Sequence, residues 1–283
     1  MRIGITGSHG VLGKRIADGL VKHQHSVIPF QGDVRNQDEV FEWSENLDAL
    51  VHTAAIVPVT TVNQDLTKAI MTNVVGTAHL ASAAAHTSTG HITYISSSHV
   101  YQGSQFDVSE DHRLEPLNLY GLTKLQGEQW VQCITENYLI IRVFSFFSSD
   151  QMSGFLVPAL AERILKSSKK AILELNNADV LRDIADADWM SSVCVPLILK
   201  QEKGVINCGT GIRHTVLEIA EKLLTALRRT DCVWREKTGG DRNGLVADTT
   251  RLKTKLPHLP PFYLEQSLRK FAENISAYVP KED

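Results

Sequence analysis

A tyrosine and a lysine four residues apart, Tyr120 and Lys124, are the side chains whose types and spacing best support chemistry. Because an α-helix completes a turn in about 3.6 residues, this spacing places both side chains on one helix face. An ammonium beside a phenol stabilises the phenolate and lowers a tyrosine pKa that is ~10 in water. The pair is therefore predicted to exchange a proton with the oxygen of a carbinol or ketone near neutral pH.

A glycine-rich run near the N-terminus supplies the second half of the expected chemistry. The run follows a strand-like segment, residues 1–6, and precedes a helix-like segment, residues 11–22, in the order that dinucleotide-binding loops need. Phosphates would lie at the N-terminus of that helix. We interpret the run as a binding site for a dinucleotide cofactor rather than a merely structural turn; its members are Gly7, His9, Gly10, Val11, Leu12 and Gly13. A dinucleotide beside a proton donor indicates hydride transfer.

Composition argues against several other classes of protein. The 283 residues are 43% hydrophobic and 22% charged, which is typical of a soluble globular protein. A formal net charge of -3 argues against a nucleic-acid or anionic-membrane partner. No signal peptide and no apolar run of membrane-spanning length is evident, so we expect a cytoplasmic protein. A zinc site or disulfide framework is not expected, and we predict no metal, because the four cysteines lie far apart: Cys133, Cys194, Cys208 and Cys232.

Strand-like and helix-like segments alternate through the first half of the chain, which predicts an α/β fold with a Rossmann-type, doubly wound parallel sheet. The expected strands are residues 1–6, 26–30, 49–55, 91–95 and 139–144. The expected helices are residues 11–22, 38–45, 66–85 and 119 to about 136.

The alternation breaks after residue 148. There the sequence predicts helices at 155–165 and 216–227, a strand at 204–208, and otherwise loops and short elements. We therefore expect a dinucleotide-binding domain, 1–148, with a returning segment at about 180–208. A smaller, irregular C-terminal substrate domain is expected from residues 149–179 and 209–283, which would close over a substrate at the carboxyl ends of the strands.

Three serines, Ser96, Ser97 and Ser98, directly follow a predicted strand. At the carboxyl end of a sheet strand, a serine hydroxyl can hydrogen-bond the reacting oxygen and orient it towards a tyrosine. The alternative is a turn in which the hydroxyls only cap backbone groups. The presence of Tyr120 and Lys124 about twenty residues downstream favours the catalytic interpretation.

Taken together, these motifs resemble the extended short-chain dehydrogenase/reductase family, which includes sugar-nucleotide epimerases, dehydratases and ketoreductases. Residues 115–128 are most similar to the dTDP-4-dehydrorhamnose reductase subgroup and to its non-catalytic relative, the regulatory subunit of methionine adenosyltransferase. Further matches extend the resemblance over nearly the whole chain, at residues 32–34, 53–55, 73–77 and 204–211.

The resemblance implies roles for individual residues. Ser97, Tyr120 and Lys124 would form the catalytic triad, with Tyr120 as the proton donor and Lys124 bound to the nicotinamide ribose. Asp33 would contact the adenosine, and it also lies twenty residues after Gly13, where the general fold places a ribose-binding carboxylate. The other expected cofactor-binding residues are Val34, Thr53, Ala54, Ala55 and Asn73, and the expected substrate-binding residues are Ser97, Ser98 and Arg182.

Arg182, with Asp183, resembles the Arg-Asp pair that epimerases place near a nucleotide sugar. A planar guanidinium suits a diphosphate because it can form two parallel charge-assisted hydrogen bonds. The alternative is a surface salt bridge. Gly240-Asp241 ahead of Ala247-Asp248 also resembles the epimerase branch.

The sequence leaves the choice between NAD and NADP open. No acidic residue of the NAD type stands at the end of the second strand, and two candidates for a 2'-phosphate ligand, Arg15 and Arg35, lie nearby.

The favoured hypothesis is an NAD(P)-dependent reductase acting on a 4-keto-deoxysugar nucleotide. The alternatives are a nucleotide-sugar 4-epimerase and a cofactor-binding regulatory subunit without turnover. A 4,6-dehydratase is disfavoured because Ser98 and His99 stand where that reaction needs an acidic pair. We also expect a homodimer joined through the helices at 66–85 and 119–136, because the first carries a stripe of small residues: Val75, Ala78, Ser82 and Ala85.

Overall fold

The computed structural model describes residues 1–87, 89–151, 154–237 and 244–276. Twelve strands lie in these ranges. They are β1 (Arg2–Thr6), β2 (Ser26–Pro29), β3 (Ala49–His52), β4 (Ile92–Ser97), β5 (Tyr138–Val143), β6 (Ser145–Phe147), β7 (Ile172–Asn176), β8 (Leu181–Arg182), β9 (Ile184–Asp186), β10 (Gly204–Cys208), β11 (His214–Thr215) and β12 (Val233–Lys237).

Eleven α-helices lie in the same ranges. They are α1 (Val11–Lys22), α2 (Gln37–Ser44), α3 (Val59–Gln64), α4 (Leu66–Ile70), α5 (Gly76–His86), α6 (Leu119–Ile134), α7 (Leu156–Leu165), α8 (Ala187–Leu199), α9 (Val216–Ala226), α10 (Thr250–Lys255) and α11 (Leu264–Ser276). A π-helical turn, Met71–Val75, joins α4 to α5, and a 3-10 turn, Ser98–Val100, follows β4.

Six parallel strands form the central sheet, in the order β10-β5-β4-β3-β1-β2. From β1 the chain moves to β2 on one side, and from β3 it moves through β4 and β5 to β10 on the other side. The strand order therefore reverses between β1 and β3, and such a switch point opens a ligand crevice at the carboxyl ends of the two strands. The predicted Rossmann-type sheet is confirmed.

Apolar clusters lie on both faces of the sheet. On one face, Ile16 and Leu20 of α1 pack with Val193 and Leu197 of α8. On the other face, side chains of α2 and α5 pack against β3, β4 and β5, with Leu80 at the centre. The central strands β3, β4 and β5 are covered on both faces, and most of their side chains are apolar, as in other buried parallel sheets.

The C-terminal part of the chain has an apolar core of its own. It contains buried side chains of α7, α9 and α11, among them Ile164, Leu223 and Leu268. Three two-stranded pairings accompany it: β7 with β12, β6 with β9, and β8 with β11. This region is thus more regular than the sequence predicted.

Several predicted boundaries need correction. The expectation of loops and short elements after residue 148 is wrong for α8 and α11, which are both 13-residue helices. The expected continuous helix at 66–85 contains the π-helical turn. The strand predicted at 49–55 ends at His52, where the Thr53 hydroxyl donates a hydrogen bond to the Thr6 carbonyl. The predicted feature at Gly240-Asp241 lies outside the described residues. No helix in the described ranges has the length and apolarity needed to cross a lipid bilayer.

Candidate active site

The glycine loop between β1 and α1 lies at the switch point, and two of its glycines have no room for a side chain. Gly7 has a φ of 69°, a left-handed conformation that favours glycine. A Cβ on Gly13 would lie 2.2 Å from the Gly7 carbonyl oxygen, and a Cβ on Gly7 would lie 2.6 Å from the Ala54 nitrogen. A Cβ on Gly10 would meet only the Gly7 oxygen, at 3.2 Å. The flattened loop at the N-terminus of α1 fits a bound pyrophosphate.

The other residues predicted in this loop differ in exposure. His9 is exposed and Val11 is partly buried, whereas Leu12 lies in the core. Leu12 can therefore face a ligand only through its backbone.

The loop after β3 is held beside the glycine loop by polar contacts. The Thr6 hydroxyl accepts a hydrogen bond from the Ala54 backbone nitrogen at 3.3 Å and lies 2.7 Å from Nδ1 of His52. Asn73 accepts a hydrogen bond from the Ile56 nitrogen and donates one to the Thr123 hydroxyl on α6. The structure therefore brings the predicted residues 53–55 and Asn73 to the same crevice and ties them to the helix that carries Tyr120.

Asp33 and Arg35 form an exposed ion pair beyond β2. The Arg35 guanidinium donates hydrogen bonds to both carboxylate oxygens of Asp33, at 2.5 to 2.9 Å. These hydrogen bonds lower the pKa of Asp33. Val34 is buried and packs against Gly76 of α5. The other candidate arginine, Arg15, is engaged elsewhere in ion pairs with Asp150 and Asp188.

Ser97 and Tyr120 lie next to each other at the carboxyl end of β4, and Lys124 lies one turn beyond Tyr120 on α6. Ser97 is the last residue of β4, and its hydroxyl accepts a hydrogen bond from the His99 backbone nitrogen at 3.2 Å, which caps the 3-10 turn. The same side chain lies close enough to the Tyr120 phenol to lower the pKa of that phenol. The capping role of this hydroxyl is therefore observed, and its catalytic role stays a prediction. Ser98 is buried.

Burial controls the pKa values of the Tyr-Lys pair. Removal from water raises the pKa of Tyr120 to about 12, and the nearby Ser97 side chain opposes this rise only in part. Burial lowers the pKa of Lys124 to about 7, against the opposing charge of Glu128. The Lys124 nitrogen lies 4.1 Å above the centre of the Tyr94 ring. The expected lowering of the Tyr120 pKa is therefore wrong for the chain alone, because desolvation of the phenolate prevails.

A buried network of hydrogen bonds connects α6 to the central sheet. Glu128 accepts hydrogen bonds from Arg142 and from the Ser96 hydroxyl. Arg142 also donates to the hydroxyl of Tyr101, which in turn donates to Asn207 at the end of the sheet. The network fixes the turn of α6 that follows Lys124. Its members were not identified from the sequence, since their pairing depends on strand order.

Arg182 and Asp183 have separate tasks. Asp183 is 1% exposed and accepts hydrogen bonds from the backbone nitrogens of Thr210, Gly211 and Ala247, so it organises loops rather than binding a ligand. Arg182 is only partly buried, burial lowers its pKa, and among the described residues no carboxylate forms an ion pair with it. Its charge contributes to lowering the pKa of His99, which places Arg182 near the end of β4.

Two residues at the site were not predicted. The His99 ring lies edge-on to the Tyr120 ring, with 5.8 Å between the centroids. Asn118 precedes α6, and its side-chain oxygen accepts a hydrogen bond from the Gly121 nitrogen as an N-cap. Asparagine directly before a helical pattern is a recognisable capping signal. The contact between Asn118 and His99 has no such signal in the sequence.

Comparison with protein-family models matches residues 1–186, more than half of the chain, to the RmlD substrate binding domain. The chain belongs to this RmlD family. The matched segment contains the glycine loop, Ser97, Tyr120, Lys124 and Arg182. Helix α8 and strand β10, the edge strand of the central sheet, follow it in the chain.

Two similar proteins are sugar-nucleotide reductases. The dTDP-4-dehydrorhamnose reductase of Mycolicibacterium smegmatis is 31% identical over 160 residues, which are 55% of this chain and 49% of that protein. The GDP-6-deoxy-D-mannose reductase of Pseudomonas aeruginosa is 28% identical over 242 residues, 78% of this chain and 79% of that protein. The alignment to the first reductase thus spans only about half of that protein's length.

Two solved structures share the fold of this chain. RMD from Pseudomonas aeruginosa, complexed with NADPH, has a TM-score of 0.85 at 24% identity, covering 98% of this chain and 99% of its own. A UDP-glucuronic acid 4-epimerase from Bacillus cereus, complexed with NAD and a fluorinated UDP-glucuronic acid, has a TM-score of 0.87 at 23% identity, covering 99% and 100%. At these identities the likeness establishes the fold, which reductases and epimerases have in common.

Proposed function

We propose that this chain is an NAD(P)-dependent reductase of a 4-keto-deoxysugar nucleotide. The observation that carries the proposal is a protonated phenol, Tyr120, next to the Ser97 side chain at the sheet's ligand crevice. With a pKa of about 12, this phenol is a proton donor throughout the neutral range. Reduction of a ketone needs such a donor, and a 4-epimerase needs the same donor in its second step and the phenolate as a base in its first.

The residues have distinct roles in this reaction. When bound, NADH or NADPH supplies a hydride to the carbonyl carbon. The carbonyl oxygen gains the electron pair of the C=O π bond and takes the proton of Tyr120, while a hydrogen bond from Ser97 polarises the same oxygen. The ammonium of Lys124 stabilises the phenolate that remains. Since the pKa of Lys124 is about 7, this charge is present on a substantial fraction of molecules at neutral pH.

We assign the cofactor and the substrate to opposite sides of these residues. Residues 1–148, with the returning segment at about 180–208, would bind the dinucleotide, with Gly7, Gly10 and Gly13 at its pyrophosphate. Thr53, Ala54, Ala55 and Asn73 would border the rest of the cofactor. Residues 149–179 and 209–283 would enclose the sugar nucleotide. Arg182 suits its diphosphate, because it is cationic and free of carboxylate partners in the described ranges.

The choice between NAD and NADP turns on the ion pair beyond β2. An adenosine 2'-phosphate would compete with Asp33 for the guanidinium of Arg35, whereas a ribose diol would bind Asp33 itself. Calorimetric titration of the protein with NADH and with NADPH measures this preference. The variant Arg35→Gln should lose affinity for NADPH and retain affinity for NADH if Arg35 binds the phosphate.

A 4-epimerase is the second candidate, favoured by the fold shared with the Bacillus cereus enzyme. Purified protein should be supplied with dTDP-4-dehydrorhamnose and NADPH or NADH, and the absorbance of the reduced nicotinamide followed. The reductase proposal expects stoichiometric loss of that absorbance, and none with the variant Tyr120→Phe. If the keto sugar is inert while UDP-glucose is inverted at C4 by protein that retains its nucleotide, the epimerase is correct. Inertness towards both, with tight binding to a second protein, indicates a regulatory subunit.

We also propose a homodimer in which α4, α5 and α6 pack against their symmetry mates. The stripe of small residues is incompletely buried, since Val75, Ala78 and Ser82 are partly exposed. Large apolar side chains lie exposed on the same helices: Leu66, Ile70, Leu122 and Trp130. A second copy of the helices would cover both sets, because small side chains permit close helix approach.

A further inference from the structure

His99 carries a polar group at the reacting site that the triad does not use. Its backbone nitrogen donates a hydrogen bond to the hydroxyl of Ser97, and its ring lies edge-on to the ring of Tyr120. The ring is only partly buried. A molecule that places its carbonyl between Ser97 and Tyr120 will therefore bring its neighbouring atoms close to this imidazole.

The tautomer of His99 is determined by the start of α6. The Asn118 oxygen accepts a hydrogen bond from the Gly121 nitrogen at 2.9 Å, so the amide group of Asn118 cannot be turned around without loss of the helix cap. Its NH2 group consequently faces Nδ1 of His99, 3.0 Å away. Because an NH2 group only donates, Nδ1 must accept. The neutral ring therefore carries its proton on Nε2.

The ring is neutral at pH 7 and held in place. Burial lowers the pKa of His99, and the nearby charge of Arg182 lowers it further. The first turn of α6 packs tightly against this residue, since a Cβ on Gly121 would lie 2.1 Å from the His99 carbonyl oxygen. Among the described residues, none accepts a hydrogen bond from Nε2. The site thus presents a fixed, neutral donor near both Tyr120 and Arg182.

We propose that His99 is a substrate-binding residue whose Nε2–H donates a hydrogen bond to a sugar oxygen adjacent to the carbonyl at Tyr120. This inference rests on the proposed function. A fixed donor selects sugars that carry a hydroxyl or other acceptor oxygen at the adjacent carbon over those that lack one. Since Asn118 occupies the lone pair of Nδ1, His99 is a donor and not the base that would remove a proton beside the ketone.

Two substitutions separate the two ring nitrogens. In His99→Gln the side-chain amide can place an N–H near the position of Nε2, whereas in His99→Asn the shorter amide reaches only the position of Nδ1. If the hydrogen bond to the sugar is the role of His99, the Asn variant should raise KM for the keto sugar roughly 10-fold and the Gln variant less than threefold. The Kd for NADPH and the urea midpoint should stay close to wild type in both.

Other kinetic outcomes decide against the proposal. Equal KM values in the two variants would assign His99 a packing role, and a larger effect in the Gln variant would assign it the task of holding Asn118. If wild-type protein neither turns over nor binds any nucleotide sugar, the proposed function fails first, and this role of His99 fails with it.

A 15N NMR spectrum of the protein without ligands tests the tautomer of His99 independently of any enzymatic activity. The two ring nitrogens of a neutral histidine have distinct 15N chemical shifts, and that of His99 should show the proton on Nε2. The variant Asn118→Asp retains an oxygen that caps α6 but offers Nδ1 only acceptors, so the proton should appear on Nδ1. A wild-type spectrum with the proton on Nδ1 would overturn the His99 proposal while leaving the reductase proposal intact.

Discussion

Replacement of Lys124 by methionine should stabilise the fold at acid pH. Lys124 is 2% exposed, and burial lowers its pKa from 10.5 to about 7. At ~1.4 kcal/mol per pKa step, keeping the ammonium charged in the folded state costs about 5 kcal/mol. Lys124→Met should therefore be about 5 kcal/mol more stable than wild type at pH 6.

The advantage of the variant should shrink as the pH rises. Between pH 7 and pH 10.5 the folded wild type has released the Lys124 proton, whereas the unfolded chain still holds it. Because the unfolded state binds more protons in this window, stability of the wild type rises with pH. The two proteins should become nearly equal by about pH 10.5. The other titrating groups are present in both proteins, so their contributions to the pH dependence largely cancel when the two free energies of unfolding are subtracted.

Urea unfolding of both proteins at pH 6 and pH 9.5, followed by circular dichroism, measures the difference. Lys22→Met is the matched control, because Lys22 is an exposed helical lysine and should change stability by less than about 0.5 kcal/mol at either pH. A Lys124→Met protein that is less stable at pH 6, or whose advantage is the same at both pH values, would refute the assignment of a desolvated ammonium. We expect the variant to lose turnover, so that stability and activity change in opposite directions.

Four further variants test the site and the assembly. Tyr120→Phe should lower kcat at least about 100-fold while the calorimetric Kd for NADPH stays near wild type. Gly13→Ala should weaken NADPH binding at least about 10-fold, since its Cβ would lie 2.2 Å from the Gly7 oxygen, and Gly10→Ala should have a smaller effect. Ala78→Arg should halve the mass measured by light scattering; a wild-type mass near 31.4 kDa would contradict the dimer.

Local signals account for the parts of the fold that the sequence predicts. Strands such as β1 and β4 are apolar runs bounded by turn residues, and they end within a few residues of the predicted positions. Helix α8 was missed because it is buried around nearly its whole circumference and contains Pro196, so it lacks the one-sided apolar pattern of a surface helix. Helix α11 is different, because Leu264, Leu268 and Phe271 form a one-sided apolar pattern that is itself a helix signal in the sequence.

In the candidate site, too, only the features that depend on local sequence could be predicted. Tyr120 and Lys124 are recognisable because their spacing is a property of one helix. The contacts of His99 depend on how the end of β4 meets the start of α6, and its closeness to Arg182 depends on the return of the chain through β8. No local pattern encodes such contacts. The pKa values depend on burial by the whole fold, and for this reason the predicted direction of the Tyr120 pKa shift was wrong.

The late position of α8 and β10 has a consequence for synthesis on the ribosome. β10 supplies the last strand of the sheet beside β5, and α8 covers the apolar face shared with α1. At roughly 5–20 residues per second, the chain from Val143 to Cys208 takes roughly 3 to 13 s to translate. During this interval β5 is an unpaired edge and the face beneath α8 is open to solvent. The nascent chain should therefore be a client of ribosome-associated chaperones until Cys208 has emerged.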